Sequence, residues 1–138
     1  MVMPYLSFSG KCEEAFRWYA EIFGGTINHL VTYEQMPANP AMPISEAQRQ
    51  MVMHAEVMLT DHGGISGCDS LWPVESGGAV NIHVHMESGA RAREMFDALA
   101  VEGTIIAQLA TNPPPDDSGI SGMVKDRYGF SWVISAVI

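Results

Sequence analysis

The chain has 138 residues, which suffices for one domain or two small fused units around a buried core. Hydrophobic residues make up 47% and charged residues only 17%, a composition typical of a folded globular protein and not of a disordered one. Lys and Arg number 7 against 16 Asp and Glu, and the resulting formal net charge of −9 argues against nucleic acid as a partner.

The first half of the chain predicts a strand, a helix and three further strands. Apolar residues alternate over residues 4–8, which predicts a short strand. From Cys12 to Phe23 they recur at helical spacing, and Gly24-Gly25 predicts the end of that helix. Further strands are predicted at 26–33, 51–59 and 65–68, and a proline-containing loop with at most a short helix at 35–50.

The second half predicts the same order of elements. Residues 78–87 alternate strictly between apolar and polar, as a strand does. Ser88 is a candidate N-cap for a helix that Gly103 is predicted to end. Strands are predicted at 104–111, 119–125 and 130–137, with Trp132 in the core and a proline-rich loop at 112–118.

The two halves also share sequence. Gly25-Thr26-Ile27, at the start of a predicted strand, is echoed by Gly103-Thr104-Ile105 in the second half. One βαβββ unit has too little core to be stable alone, whereas two units side by side can bury their apolar faces. We therefore predict an α+β fold, one domain built from modules 1–74 and 78–138, with helices outside a curved mixed sheet that forms a cup.

Strand alternation places a set of polar side chains on the sheet face opposite the helices, and that face is expected to line the cup. His54 and Glu56 suit acid–base chemistry or a polar ligand, although a hydrogen-bonded structural His is an alternative. His83 and His85 have the spacing that lets two imidazoles reach one metal, but they also suit a strand face in contact with water or a partner subunit. The candidate residues are Tyr5, Ser7, His54, Glu56, Asn81, His83 and His85.

Several short segments, spread over nearly the whole chain, match one known family. They are Pro4-Tyr5-Leu6-Ser7-Phe8, Cys12-Glu13-Glu14-Ala15-Phe16, Trp18-Tyr19, Phe23-Gly24-Gly25, Tyr33-Glu34-Gln35-Met36-Pro37, Met53-His54-Ala55-Glu56, Phe96-Asp97-Ala98-Leu99 and Asp126-Arg127-Tyr128-Gly129-Phe130-Ser131-Trp132. Through these segments the chain resembles the vicinal oxygen chelate superfamily of glyoxalase I, bleomycin-resistance proteins and extradiol dioxygenases, in particular its PhnB-like branch. The resemblance implies paired βαβββ modules, a homodimer, and a cavity within the curved sheet where enzymes of the superfamily hold a divalent metal.

The metal ligands that the resemblance implies are incomplete in this chain. The usual His of the second module falls on Asn81, or on His83 if the register differs, and the usual Glu falls on Val133. Pro4 or Tyr5 takes the first ligand position of the first module. An apolar side chain cannot replace a carboxylate on a divalent cation, so we predict no metal cofactor. No glycine-rich strand-to-helix loop suited to S-adenosylmethionine occurs either, and methyl transfer is not predicted.

The leading hypothesis is a PhnB-like, metal-independent protein that binds a small molecule through Tyr5, Ser7, His54, Glu56, Asn81 and His83. One alternative is a lyase, isomerase or dioxygenase that holds a divalent metal ion with His54, Glu56, His83 and His85. Another is a structural or regulatory dimer with no ligand. No apolar run approaches the roughly 20 residues of a membrane span, and no signal-peptide pattern is present, so we expect a cytoplasmic protein with no membrane partner. The homodimer is expected from the family resemblance.

Overall fold

The computed structural model describes all residues from Met1 to Ile138. The chain divides into two compact units, Met1–Glu75 and Ser76–Ile138. Each unit contains one four-stranded mixed sheet and one helix of 12 residues, which confirms the predicted α+β class. None of the helices has the length and apolar character required to span a bilayer.

The first unit follows the order strand, helix, strand, two short helical turns, strand, strand. Its sheet has the strand order β1-β4-β3-β2, in which β1 runs parallel to β4 and the other pairs are antiparallel. The elements are β1 (Tyr5–Phe8), α1 (Cys12–Phe23), β2 (Thr26–Thr32), a 3₁₀ turn (Tyr33–Gln35), α2 (Glu46–Arg49), β3 (Val52–Thr60) and β4 (Gly63–Asp69).

Helix α1 packs on this sheet through the apolar stripe that the sequence predicts. Its buried residues are spaced three or four apart, so they form one face of the helix. The helix ends at Gly24, whose φ of 68° is the left-handed conformation that glycine adopts without steric cost. At Gly67 on β4 the Phe16 ring and the Leu6 carbonyl occupy the space that a side chain would need, so the helix lies close to the sheet.

The second unit repeats this topology without the two short helical turns. Its sheet has the order β5-β8-β7-β6, with β5 parallel to β8 and the other pairs antiparallel. Trp132 on β8 is fully buried, as predicted. The elements are β5 (Ile82–His85), α3 (Gly89–Ala100), β6 (Thr104–Thr111), β7 (Gly119–Lys125) and β8 (Ser131–Val137).

The predicted N-cap of α3 is confirmed, whereas the prediction that Gly103 ends this helix is wrong. The Ser88 side chain accepts a hydrogen bond from the Arg91 amide and caps the N-terminus. The helix ends at Ala100, and the left-handed residue that follows is Glu102, with φ of 60°, not Gly103. Gly103 is required for another reason, because a Cβ there would collide with the Lys125 carbonyl on β7.

The same close approach explains the repeated Gly-Thr-Ile sequence. Gly25 lies against the Met58 carbonyl of β3 just as Gly103 lies against the Lys125 carbonyl of β7. In both units a glycine therefore lets the strand after the helix approach its antiparallel neighbour.

Strand β5 is shorter than the ten-residue segment 78–87 that the alternation predicts. Only Ile82–His85 pair with β8. Ile82, Val84 and Met86 are buried as predicted, but Val80 is 80% exposed because it lies before the strand begins. Alternation therefore identifies the inward face within the strand and overestimates its length.

Candidate functional site

Three rings come together on the face of the first sheet that is opposite α1. The Tyr5 and His54 rings are stacked, with centroids 5.9 Å apart and an interplanar angle of 22°. Tyr5 Oη lies 3.5 Å from His54 Nδ1, at the outer limit of a hydrogen bond. The His29 ring lies on the other side of His54, with centroids 5.4 Å apart. The structure thus joins two predicted residues, Tyr5 and His54, to one that was not predicted.

A line of side chains crosses the same face from edge to edge. Tyr5 on β1 pairs with Ser66 on β4, Ser66 pairs with Glu56 on β3, and Glu56 pairs with His29 on β2. Directly paired residues point to the same side of a sheet, so these four side chains share one surface. We define the first polar face as Tyr5, Ser7, His29, His54, Glu56, Ser66 and Cys68.

The first polar face is open and contains no cationic Lys or Arg. Tyr5 is 54% exposed. None of the strands β1 to β4 contains Lys or Arg, so Glu56 has no basic partner on its own sheet. Burial raises the pKa of the Tyr5 phenol, and a hydrogen bond with the Cys68 thiol raises this pKa further. The phenol is therefore a hydrogen-bond donor throughout the neutral range.

The turn from β1 into α1 is already occupied by a carboxylate of the chain. Asp69, 2% exposed, accepts hydrogen bonds from the amides of Gly10 at 2.8 Å, Cys12 at 3.0 Å and Val52 at 2.9 Å. The first free amides of a helix, with its dipole, form an anion site, and Asp69 fills the one at α1. The amides of Gly10 and Cys12 are therefore not free to bind a phosphate or carboxylate of a cofactor.

The loop of residues 33–49 borders an open groove of about 440 Å³. Met36, Met42 and Ile44 contribute apolar surface to it, together with several prolines. Tyr33 anchors the start of the loop, because its buried hydroxyl donates to the Asp69 carbonyl oxygen at 2.8 Å. Asp69 therefore holds the start of this loop through its carbonyl oxygen and the N-terminus of α1 through its carboxylate.

In the second unit, two imidazoles converge on one hydroxyl. His83 Nε2 lies 2.7 Å and His85 Nδ1 2.9 Å from Ser135 Oγ. Alternation points both histidines to the same side of β5, and His85 pairs directly with Ser135 on the adjacent β8. We define the second polar face as His83, His85 and Ser135. Asn81 is exposed and lies one residue before β5, outside the paired strand.

The β5–β8 register determines which residue of β5 lies beside Val133, the residue at the usual Glu position of the superfamily's metal ligands. Val133, at the usual Glu position, pairs with His83 and not with Asn81. Even with His83 in place, its partner is an apolar residue that cannot coordinate a cation. Within either unit, no three His, Cys, Asp or Glu side chains form a group that could hold a metal ion. The residues present therefore do not fit the divalent metal of the superfamily.

Two important residues were not predicted from the sequence. His29 lies in a β-branched strand with no clear alternation, and the β2–β3 register shifts between Ile27 and His29. The contact of Ser135 with both histidines depends on the parallel β5–β8 register. The signal in the sequence that indicates His29 is the presence of a histidine within a predicted strand.

Comparison with known proteins gives the family. A family model described as 3-demethylubiquinone-9 3-methyltransferase matches residues 1–135. The chain belongs to this family. It is 24% identical over 140 residues to Protein YjdN of Escherichia coli strain K12, covering 97% of this chain and 93% of that protein.

Two solved structures are similar to this member of the 3-demethylubiquinone-9 3-methyltransferase family over nearly its whole length. Protein PA1353 from Pseudomonas aeruginosa is 26% identical with a TM-score of 0.84, covering 99% of this chain and 97% of that one. A putative 3-demethylubiquinone-9 3-methyltransferase, PhnB protein, from Bacillus cereus is 23% identical with a TM-score of 0.76, covering 99% and 98%. The PhnB-like resemblance is thereby confirmed.

A more distant similarity gives the superfamily fold. The fosfomycin resistance protein FosX from Listeria monocytogenes has a TM-score of 0.66 at 9% identity, covering 100% of this chain and 93% of that one. The predicted glyoxalase-like fold is thus confirmed for this family member.

Proposed function

We propose that this protein binds a small neutral or cationic molecule with a planar group on the first polar face, without a metal cofactor. The observation that supports this most directly is the exposed stack of Tyr5 and His54, with His29 beside it. Aromatic and imidazole rings bind flat ligands through their faces, and a cation gains further attraction from the Tyr ring.

The charge of the face favours this ligand class. Glu56 carries the only formal charge among the seven residues of the first polar face when its histidines are neutral. The Tyr5 phenol remains protonated because burial raises its pKa, so it donates to an acceptor on the ligand. An anionic ligand would meet Glu56 without a compensating Lys or Arg from this sheet. A cation or a hydrogen-bond donor is therefore the better partner for Glu56.

The absence of a metal is part of the proposal, and the donor set supports it. His54 Nδ1 faces Tyr5, and the inward nitrogens of His83 and His85 face Ser135. Divalent cations in such folds need several imidazole and carboxylate ligands around one point. Asn81 and His83 belong to the second unit, and as ligand contacts they stay predictions of the sequence outside the first polar face.

The binding test compares two ligands that differ in charge. Benzamidine and benzoate share a planar ring, and isothermal titration calorimetry should detect benzamidine only. We expect His54→Ala to weaken benzamidine binding at least about tenfold, equivalent to about 1.4 kcal/mol. His62→Ala is the matched control, because His62 is an exposed histidine in the turn after β3 and outside the face. Equal binding of benzoate, or full affinity in His54→Ala, would contradict the proposal.

We also propose a homodimer, and the edge strand β6 supports it. β6 lies at the end of its sheet and contains no charged residue. Ile105 and Ile106 on it are 42% and 51% exposed. Natural proteins usually protect such an edge with charges or cover it. Light scattering should give twice the chain mass of 15.0 kDa.

Substitutions test the surface of this dimer. Ile106→Lys places a charge on the β6 edge and should shift the protein to the mass of one chain. Val2→Lys is the control, since Val2 is 97% exposed and outside every strand. A wild-type protein of single-chain mass at micromolar concentration would refute the homodimer. A dimer that withstands Ile106→Lys would exclude β6 as its contact.

A further inference from the structure

The second polar face has the contacts of an activated serine. Ser135 Oγ is within hydrogen-bond distance of two ring nitrogens, His83 Nε2 at 2.7 Å and His85 Nδ1 at 2.9 Å. Ser135 is half-buried and both histidines are exposed, so an incoming molecule can reach the hydroxyl from the side of the imidazoles. The three residues come from adjacent paired strands, which hold them more rigidly than a loop would.

The chemistry of a hydroxyl limits how these bonds are arranged. A serine hydroxyl has one hydrogen to donate and lone pairs to accept, so it donates to one imidazole and accepts from the N–H of the other. The imidazole that accepts the Oγ hydrogen is placed as a general base. The imidazole that donates is placed to stabilise negative charge that develops on Oγ. A serine hydroxyl within hydrogen-bond distance of an imidazole is the nucleophile–base pair that serves nucleophilic catalysis on unrelated folds.

The two strands that carry the second polar face offer the imidazoles no carboxylate partner in place of Ser135. β5 and β8 contain no Asp or Glu that would hold either histidine as a cation. Ser121, which pairs with Ser135 across β7 and β8, has a different environment, because it donates to the Asn112 side-chain oxygen. Of these two paired serines, Ser135 alone has imidazole partners.

We propose that Ser135 is a nucleophile that accepts acyl groups from activated carboxylic esters, a reaction separate from binding at the first polar face. Ser135 Oγ attacks the ester carbonyl carbon while its proton passes to His83 Nε2, and the Nδ1–H of His85 keeps its proton and hydrogen-bonds to Oγ. The bond from the carbonyl carbon to the leaving oxygen then breaks, and this oxygen takes the proton from His83. Water, deprotonated by His83, attacks the acyl carbon, the bond from this carbon to Oγ breaks, Oγ takes the proton back from His83, and the carboxylic acid is released.

The test uses the full chain with p-nitrophenyl acetate and, separately, a fluorophosphonate. Intact mass spectrometry should show one acetyl or phosphonyl group per chain, and peptide mapping should place it on Ser135. Ser135→Ala should lose the adduct and the release of p-nitrophenolate, whereas the matched variant Ser121→Ala should keep both. His83→Gln and His85→Gln should each lower the labelling rate at least about tenfold, with thermal melting used to verify folding.

Two results would overturn the proposal. The first is no adduct on folded wild-type protein under conditions that label a known serine hydrolase. The second is an adduct that persists in Ser135→Ala, which would place the acyl group on a histidine or tyrosine instead. The benzamidine test concerns the first unit and uses other variants. Failure of the acylation proposal and failure of the binding proposal can therefore be distinguished.

Discussion

Replacement of Asp69 should be among the most destabilising single substitutions in the first unit. Its carboxylate accepts from the amides of Gly10, Cys12 and Val52, and so ties the β1–α1 turn, the first turn of α1 and the start of β3 to the end of β4. Asp69→Ala leaves the Cys12 and Val52 amides buried without an acceptor, at about 1–3 kcal/mol each. Loss of the charge at the helix N-terminus adds about 0.3–2 kcal/mol.

The total for Asp69→Ala is therefore about 2–8 kcal/mol, a large part of the roughly 5–15 kcal/mol that stabilises a typical domain. Asp69→Asn retains one acceptor oxygen and should cost less, about 2–3 kcal/mol. Urea unfolding followed by circular dichroism measures both. With a slope of about 1–3 kcal/mol per molar urea, even the Asn variant should shift the midpoint by about 0.7 M or more.

A matched control and a local measurement decide whether this reasoning is correct. Asp61→Asn changes an exposed aspartate in the turn between β3 and β4 and should stay within about 0.5 kcal/mol of wild type. In Asp69→Asn, the amide hydrogen of Val52 should exchange with solvent faster than in wild type. If Asp69→Asn unfolds at the same urea concentration as Asp61→Asn, the carboxylate does not stabilise the unit as proposed.

Three further predictions concern stability. Burial raises the pKa of the Cys12 thiol, so the folded state keeps this proton while the unfolded thiol ionises above about pH 8.5. Between about pH 9 and 10 the free energy of unfolding of wild type should therefore fall by up to about 1.4 kcal/mol more per pH unit than that of Cys12→Ala. Urea unfolding at several pH values measures both, and an equal pH dependence in the two proteins would disprove this. Gly122→Ala should destabilise by about 1–3 kcal/mol, since the new Cβ would lie 2.7 Å from the Phe96 ring, whereas Gly63→Ala, with no atom within 4 Å, should leave the melting temperature nearly unchanged. Glu102, with φ of 60°, should be more stable as Gly than as Ala by about 1–2 kcal/mol, and equal melting of the two variants would contradict strain at this position.

Periodicity in the sequence was sufficient to predict most of the elements. The bounds of Cys12–Phe23, Thr104–Thr111 and Gly119–Lys125 agree with the structure, because apolar residues in these segments follow the helical or strand period up to a breaking residue. The polar face opposite α1 was also predictable, since alternation alone puts Tyr5 and His54 on the polar sides of β1 and β3, which the structure places on either side of β4. The family resemblance added the expectation of paired βαβββ modules.

The remaining parts of the site depend on register and on single hydrogen bonds. Ser135 faces His83 and His85 only because β5 pairs with β8 in one particular register, and a shift by one residue would turn the hydroxyl to the other face. His29 lies beside His54 on a strand whose register shifts just before it, between Ile27 and His29, and no pattern in the sequence indicates this shift. The role of Asp69 was not predictable from local patterns, because its partner Gly10 lies 59 residues away in the chain.

The division of the chain has a practical consequence for engineering. Each unit contains its own hydrogen-bonded sheet and the helix that covers it, and strand pairing does not cross from one sheet to the other. The exposed connector that follows β4, where Trp72 is 71% exposed and no strand forms before Ile82, is thus a suitable place to insert a foreign domain.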